Sequence, residues 1–291
     1  MKTDRVRCFP FILCLAILLV GFGAAQARSG TSGDPGGHTN KGVKFAREKQ
    51  YDKAIAEFTK AIEAQPEDPK NYANRALSYK LSGKPDQAIS DFAKVVELRP
   101  DDADAYTDKG QLELERGKVD AAIKDLTRAL ELKARSTTAR RFRAYAFLQK
   151  KQWKNAVDDY SKVIEQMPDD VEVHERRGYA YRNLGEYDKA IADFTKVIQA
   201  NPKDAEAYRR RGLTYRLAED YAKAADDYGK VLQLKPNDAD AKSRLHYVEA
   251  KLHASPTLPP GPIPARVGRE AARKARAQLA RTPSPSPTPR R

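Results

Sequence analysis

Alanine recurs at a spacing of 34 residues: Ala54, Ala88, Ala122, Ala156, Ala190 and Ala224. The register runs from residue 35 to residue 238 as six copies, with no insertion or deletion. Copies are numbered internally from 1, starting at Pro35, Pro69, Ala103, Thr137, Val171 and Ala205. Each copy alternates between two helical patterns, so each reads as one helical hairpin. One hairpin cannot bury its apolar face alone, so a fixed period of this length predicts stacked neighbours and an extended surface.

Other columns keep the period. Internal position 8 is small: Gly42, Ala76, Gly110, Ala144, Gly178 and Gly212. Position 24 is large: Phe58, Phe92, Leu126, Tyr160, Phe194 and Tyr228. Position 27 is small or β-branched, from Ala61 to Val231. Small residues at 8 and 20 suit a close helix crossing, and large ones at 11, 17 and 24, such as Tyr181, Tyr187 and Phe194, fill the space beside it. Position 32 is Pro66, Pro100, Ala134, Pro168, Pro202 and Pro236, and proline stops the second helix. Asp68, Asp102, Asp170, Asp204 and Asp238 follow two residues later, placed to cap the next helix.

This pattern of aromatic, small residue, Tyr, Ala, Phe, Ala and Pro resembles the tetratricopeptide repeat (TPR) family. The resemblance implies an all-α, right-handed solenoid of six hairpins, at residues 35–68, 69–102, 103–136, 137–170, 171–204 and 205–238. The third copy departs most, with Glu113 at aromatic position 11 and Ala134 for proline, and the fourth begins with Arg140 at aromatic position 4. The spacing therefore predicts the least regular stack near residues 133–141. Residues 239–254 form one more amphipathic helix, with Ala241, Leu245, Val248 and Leu252 on one stripe. Open solenoid ends need such a cap.

The ends differ from the body. Lys2, Arg5 and Arg7 precede an uncharged run from Phe9 to Ala25, and Ala25-Gln26-Ala27 reads as a cleavage site. Residues 1–27 are thus a secretory signal peptide, the competing reading being an uncleaved membrane anchor. The protein is expected to be periplasmic or secreted. Both cysteines, Cys8 and Cys14, fall in this segment, so the mature chain has neither disulfides nor thiolate metal sites. Residues 28–38 are a Gly- and Ser-rich flexible linker, with the first helix expected to begin near Thr39. Residues 255–291 are a disordered tail rich in Pro, Ser, Ala and Arg, with polyproline-like spacers.

Charge is concentrated in that tail. Of the net +14, it holds +7, from Arg266, Arg269, Arg273, Lys274, Arg276, Arg281, Arg290 and Arg291 against Glu270. An anionic partner follows: a membrane surface, an acidic envelope polymer or a nucleic acid. The bland reading is a solubilising spacer.

Catalytic chemistry finds no foothold. No phosphate-cradling glycine loop, nucleophile elbow or HExxH occurs, and no cofactor or metal is implied. His38 and His174 sit at position 4, where tyrosine stands in three other copies, as substitutes in a packing slot. Acids at position 23 (Glu57, Asp91, Asp125, Asp159, Asp193, Asp227) precede bases at position 26 by three residues, the spacing of outer-face ion pairs.

In TPR proteins the first helix of each hairpin lines a groove through positions 2, 5, 6, 9, 12 and 13. Carried over, copies 1–3 offer a mixed set: Arg47, Lys70, Asn74, Leu77, Asp104, Asp108, Leu114 and Glu115. Copies 4–6 offer Arg141, Phe142, Tyr145, Arg176, Tyr179, Arg182, Arg209, Arg210, Leu213 and Arg216. Arginine beside tyrosine suits an extended protein segment with acidic side chains or a free carboxylate. The other reading pairs these arginines with Glu172, Glu175 and Glu206. The two-carboxylate clamp that grips chaperone tails is absent: its positions hold Thr39, Val43, Asn74, Asp104 and Asp108, or Arg141, Tyr145, Arg176, Glu206 and Arg210. The resulting expectation is a non-catalytic protein-binding scaffold of the cell envelope.

Overall fold

The computed structural model describes residues 35–254, which form thirteen helices and no strand. They are α1 (Pro35–Arg47), α2 (Tyr51–Ala64), α3 (Pro69–Leu81), α4 (Pro85–Leu98), α5 (Ala103–Glu115), α6 (Val119–Leu132) and α7 (Thr137–Gln149). Then come α8 (Trp153–Gln166), α9 (Val171–Leu184), α10 (Tyr187–Ala200), α11 (Ala205–Leu217), α12 (Tyr221–Leu234) and α13 (Ala239–Ala254). The chain divides into two compact units after Ala146, within α7. The leader 1–27 and the tail 255–291 lie outside the described residues.

In the first unit α1 packs on α2, α3 on α4 and α5 on α6, with α2 also touching α3 and α4 touching α5. In the second unit every helix from α8 to α12 packs on its successor. Each crossing depends on position 8. A Cβ on Gly42 would sit 2.6 Å from Phe58 Cε1, and one on Gly110 2.7 Å from Leu126 Cγ. The large residue at position 24 thus occupies the space that glycine leaves. The alanine column at position 20 is fully buried.

The turns repeat as closely as the helices. Position 15 is left-handed in all six copies: Gly83, Gly117 and Gly185 at φ 75, 73 and 78°, and Lys49, Lys151 and Glu219 at 59, 57 and 64°. Second helices end on a residue of one repeated non-helical conformation, as at Gln65 (φ −139°, ψ 77°) and Arg99 (φ −135°, ψ 81°). Asp68, Asp102, Asp170 and Asp204 then cap the next helix through their carboxylates.

Three expectations need correction. The first helix begins at Pro35, not near Thr39, so residues 35–38 are helical rather than linker. Proline's fixed φ suits a first helical turn, and His38 is anchored by a 2.7 Å bond from Nδ1 to Glu57 Oε2.

The turn that opens the joint at 133–141 keeps the backbone shape of the other turns. Lys133 takes φ −135° and ψ 77° without a following proline. Ser136 Oγ accepts from Ala139 N at 3.2 Å, and the Arg140 guanidinium donates to the Ala134 carbonyl. His174 does the same in its own copy, its Nε2 lying 2.8 Å from the Pro168 carbonyl. A polar residue at position 4 therefore ties down the turn six residues earlier.

The acids at position 23 do not form an outer face. Asp91, Asp125, Asp159, Asp193 and Asp227 are buried. They meet a column of bases at position 7 on the first helix, which the sequence reading passed over. Arg75 grips Asp91 with two bonds of 2.7 and 2.8 Å; Arg177 grips Asp193, and Arg211 grips Asp227, each at 2.9 and 2.8 Å. The remaining nitrogen reaches back one copy, from Arg75 to Thr59, Arg143 to Thr127, Arg177 to Ser161 and Arg211 to Thr195, at 3.0 to 3.2 Å. Position-26 cations instead pair outward, Lys94 with Glu97 and Arg128 with Glu131; Lys60 alone among these keeps its bond to position 23, at Glu57.

Candidate functional site

The exposed face of the first helices is the candidate site, and it differs between the units. In the second unit it is built from α9, α11 and α13. Arg176, Tyr179, Arg182, Arg209, Arg210, Leu213 and Arg216 are all half-buried there. Helical rotation of about 100° per residue puts positions 2, 5, 6 and 9 on this face while position 7 turns inward.

Most of the arginines are already met by carboxylates. Arg176 bonds Glu172 at 2.8 Å. Arg209 bonds Glu206 and Asp238, with Asp240 at 3.4 Å. Arg210 reaches back to Glu175 on α9 and lies 3.6 Å from Glu206. Arg244 on α13 bonds Asp240 at 2.8 Å. This network of partly screened pairs holds α9, α11 and α13 in register.

The other two arginines stack on rings. Arg182 lies 5.1 Å from the centroid of Tyr179, whose edge packs against Trp153 at 5.7 Å. Arg216 lies 5.5 Å from the centroid of Tyr247 on α13, and Lys251 Nζ approaches the same ring at 5.8 Å. Trp153 and Tyr247 were missed because they lie outside the six copies' first-helix columns.

In the first unit the face is more polar and more acidic. Lys80 Nζ bridges Asp108 Oδ1 and Gln111 Oε1, both at 3.0 Å, and Lys133 pairs with Asp104 at 3.2 Å. An open depression of about 440 Å³ lies on α1, lined by Asn40, Val43, Lys44, Arg47 and Glu48. Arg141 and Tyr145 are half-buried on α7.

Phe142 does not face a groove. It is 3% exposed and packs in a core cluster with Leu114, Leu126, Ala129, Ala139 and Ala146. Leu114, expected on the same face, is buried beside it. Two apolar side chains from successive first helices bury one another rather than wait for a ligand.

The eight tail cations from Arg266 to Arg291 lie outside the described residues. Among the described residues no three metal-ligating side chains cluster, and no helix is long and apolar enough to cross a membrane.

Comparison with known proteins gives a consistent picture. Family models described as tetratricopeptide repeat match residues 38–68, 73–136, 107–171 and 175–239, more than half of the chain. No curated protein matches it in sequence. Among solved structures, it is similar to YrrB, described as a TPR protein with an unusual peptide-binding site. That match has 25% identity and a TM-score of 0.60, covering 64% of this chain and 96% of YrrB. MamA matches at 25% identity and a TM-score of 0.56, covering 59% of this chain and 94% of MamA. MamA from Desulfovibrio magneticus RS-1, at 20% identity and a TM-score of 0.55, covers 59% of this chain and 97% of its own and shares the fold.

Proposed function

The chain belongs to the tetratricopeptide repeat family, and from that premise we propose that it is a non-catalytic scaffold that binds a segment of a partner protein. The binding surface is the first-helix face of α9 and α11. The observation that carries this reading is the row of half-buried arginines and tyrosines there, Arg176, Tyr179, Arg182, Arg210 and Arg216, on helices braced by ion pairs. A rigid face with aromatic and guanidinium groups supplies contact area at low entropic cost. The peptide-binding site for which YrrB is described supports the same use of this fold.

The partner presents acidic side chains or a free carboxylate, and it is met in the cell envelope. The leader pattern of residues 1–27 supports export. A second reading, favoured by the +7 of the tail, is association with an anionic envelope polymer or membrane surface. Electrostatic retention of that kind falls steeply as salt rises.

The test is capture of partners from an envelope fraction with the full mature chain. A specific protein is expected, lost when Arg176, Arg182 and Arg210 are replaced by glutamate. Failure to capture one, or capture indifferent to those changes, overturns the proposal.

A further inference from the structure

We propose that the partner's carboxylate seats at the end of this face, between Arg216 of α11 and Tyr247 of α13, and that the partner segment is acidic with aliphatic neighbours. This rests on the protein-binding reading above and adds the place and chemistry of the contact.

Arg216 stands apart from the ion-paired arginines of the face. Arg176, Arg209, Arg210 and Arg244 each bond a carboxylate of this chain. Arg216 has none among the described residues. It touches the Tyr247 ring, and its Nε is buried without a hydrogen-bond partner. Stacking uses the face of a guanidinium and leaves its N–H edge for a bidentate carboxylate. The ring lends it a fixed position.

The surroundings fit the same ligand. Tyr247 is 44% exposed, and Lys251 adds a second cation over its ring. Leu217, next to Arg216, and Leu252, next to Lys251, are 39% and 40% exposed, large apolar side chains left open to solvent. The chain then continues from α13 into the tail's eight basic residues, so an anionic segment is attracted toward this end. A bilayer suits the patch less well. The outward side of α13 carries exposed Lys242, His246 and Glu249, and its Ala241 and Val248 are buried, so it has no apolar stripe to insert.

The experiment is fluorescence anisotropy with the full mature chain. The probes are a labelled peptide alternating glutamate and leucine, its glutamine counterpart, and phosphatidylglycerol vesicles. Arg216→Gln is expected to weaken the glutamate peptide about tenfold or more, as for a lost charge-assisted hydrogen bond, while barely changing the glutamine peptide. Tyr247→Ala is expected to weaken it in the same sense. Arg216→Lys keeps the charge but not the fork, and should not restore binding. Circular dichroism confirms that each variant is folded; should Arg216→Gln unfold, the Arg216→Lys and Tyr247→Ala comparison decides. Equal binding of the two peptides, no binding of either, full rescue by lysine, or an Arg216-dependent preference for vesicles each overturns the seat. Partner capture that survives Arg216→Gln would sink this inference alone, whereas failure to capture any partner sinks the reading beneath it.

Discussion

Glu113 occupies the slot that holds Phe45, Tyr79, Phe147, Tyr181 and Tyr215 in the other five copies. It is 4% exposed, and its Oε2 has no hydrogen-bond partner. Its Oε1 lies 3.6 Å from Lys109 Nζ, which is already committed to Asp125 at 2.7 Å. One ammonium thus serves two carboxylates. Burial, and then the charge of Asp125, push the Glu113 carboxyl from its ordinary 4.5 up to about 7, against the pull of Lys109. The folded state therefore holds a proton that the unfolded chain releases earlier. Below about pH 4.5 both states are protonated and nothing is lost. Between 4.5 and 7 stability falls as pH rises, and above 7 the penalty is complete. A shift of this size corresponds to roughly 3 kcal/mol.

Glu113→Gln keeps the shape and removes the titration. The difference in unfolding free energy between the variant and the parent cancels other titrating groups. Urea unfolding followed by circular dichroism in steps from pH 4.5 to 8.5 is expected to show near-equality at the acid end. At the alkaline end the variant should lead by about 3 kcal/mol. Glu113→Tyr, which restores the column's aromatic, should stabilise at every pH. A flat difference profile would mean that Glu113 binds its proton equally in both states, and a glutamine variant less stable at pH 8 would mean that the charged Glu113–Lys109 pair is net favourable; either refutes the argument.

Three further outcomes follow from the packing. Gly42→Ala should cost about 1–3 kcal/mol of overpacking against Phe58, whereas Gly229→Ala, with nothing within 4 Å, should gain up to about 1 kcal/mol; thermal melts of the pair distinguish close approach from helix propensity. Asp193→Ala strips both Arg177 and His174 of their buried acceptor and should cost about 3–5 kcal/mol, with hydrogen-exchange protection lost first in α9 and α10. Lys151→Gly relieves a left-handed backbone at φ 57° and should raise stability by about 1 kcal/mol, measured by denaturant midpoint, while the same change at an exposed mid-helix lysine lowers it.

The fold was legible because each of its rules is a column. Small at 8 against large at 24 holds in all six copies, and proline at 32 and aspartate at 34 each hold in five, so noise in one copy is corrected by the others. The joint at Lys133 shows the limit of that reading. A missing proline and a misplaced arginine looked like two defects, yet Ser136 and Arg140 supply the hydrogen bonds that keep the turn in shape. A column shows which residue is usual. It does not show that a different one can do the same job by another bond.

The site was less legible, and Arg209, Arg210 and Arg211 show why. They are adjacent and chemically identical, but each is turned by about 100° from the last. Arg209 points to Glu206 and on to Asp238 before α13. Arg210 points back to Glu175 in the preceding copy. Arg211 points inward to Asp227, across its own hairpin. One run of sequence therefore ties its copy to the start of α13, through Asp240 at 3.4 Å from Arg209, to its predecessor and to itself. The column at position 7 held a recoverable signal. Its arginines at 75, 143, 177 and 211 each follow a hydroxyl 16 residues earlier, at Thr59, Thr127, Ser161 and Thr195, whereas Lys109, which lacks the third nitrogen, follows Ala93. Covariation inside a single chain separates structural arginines from the rest. It sets the inward arginines of position 7 apart from Arg182 and Arg216 of position 12, which lie on the outer face of their helices.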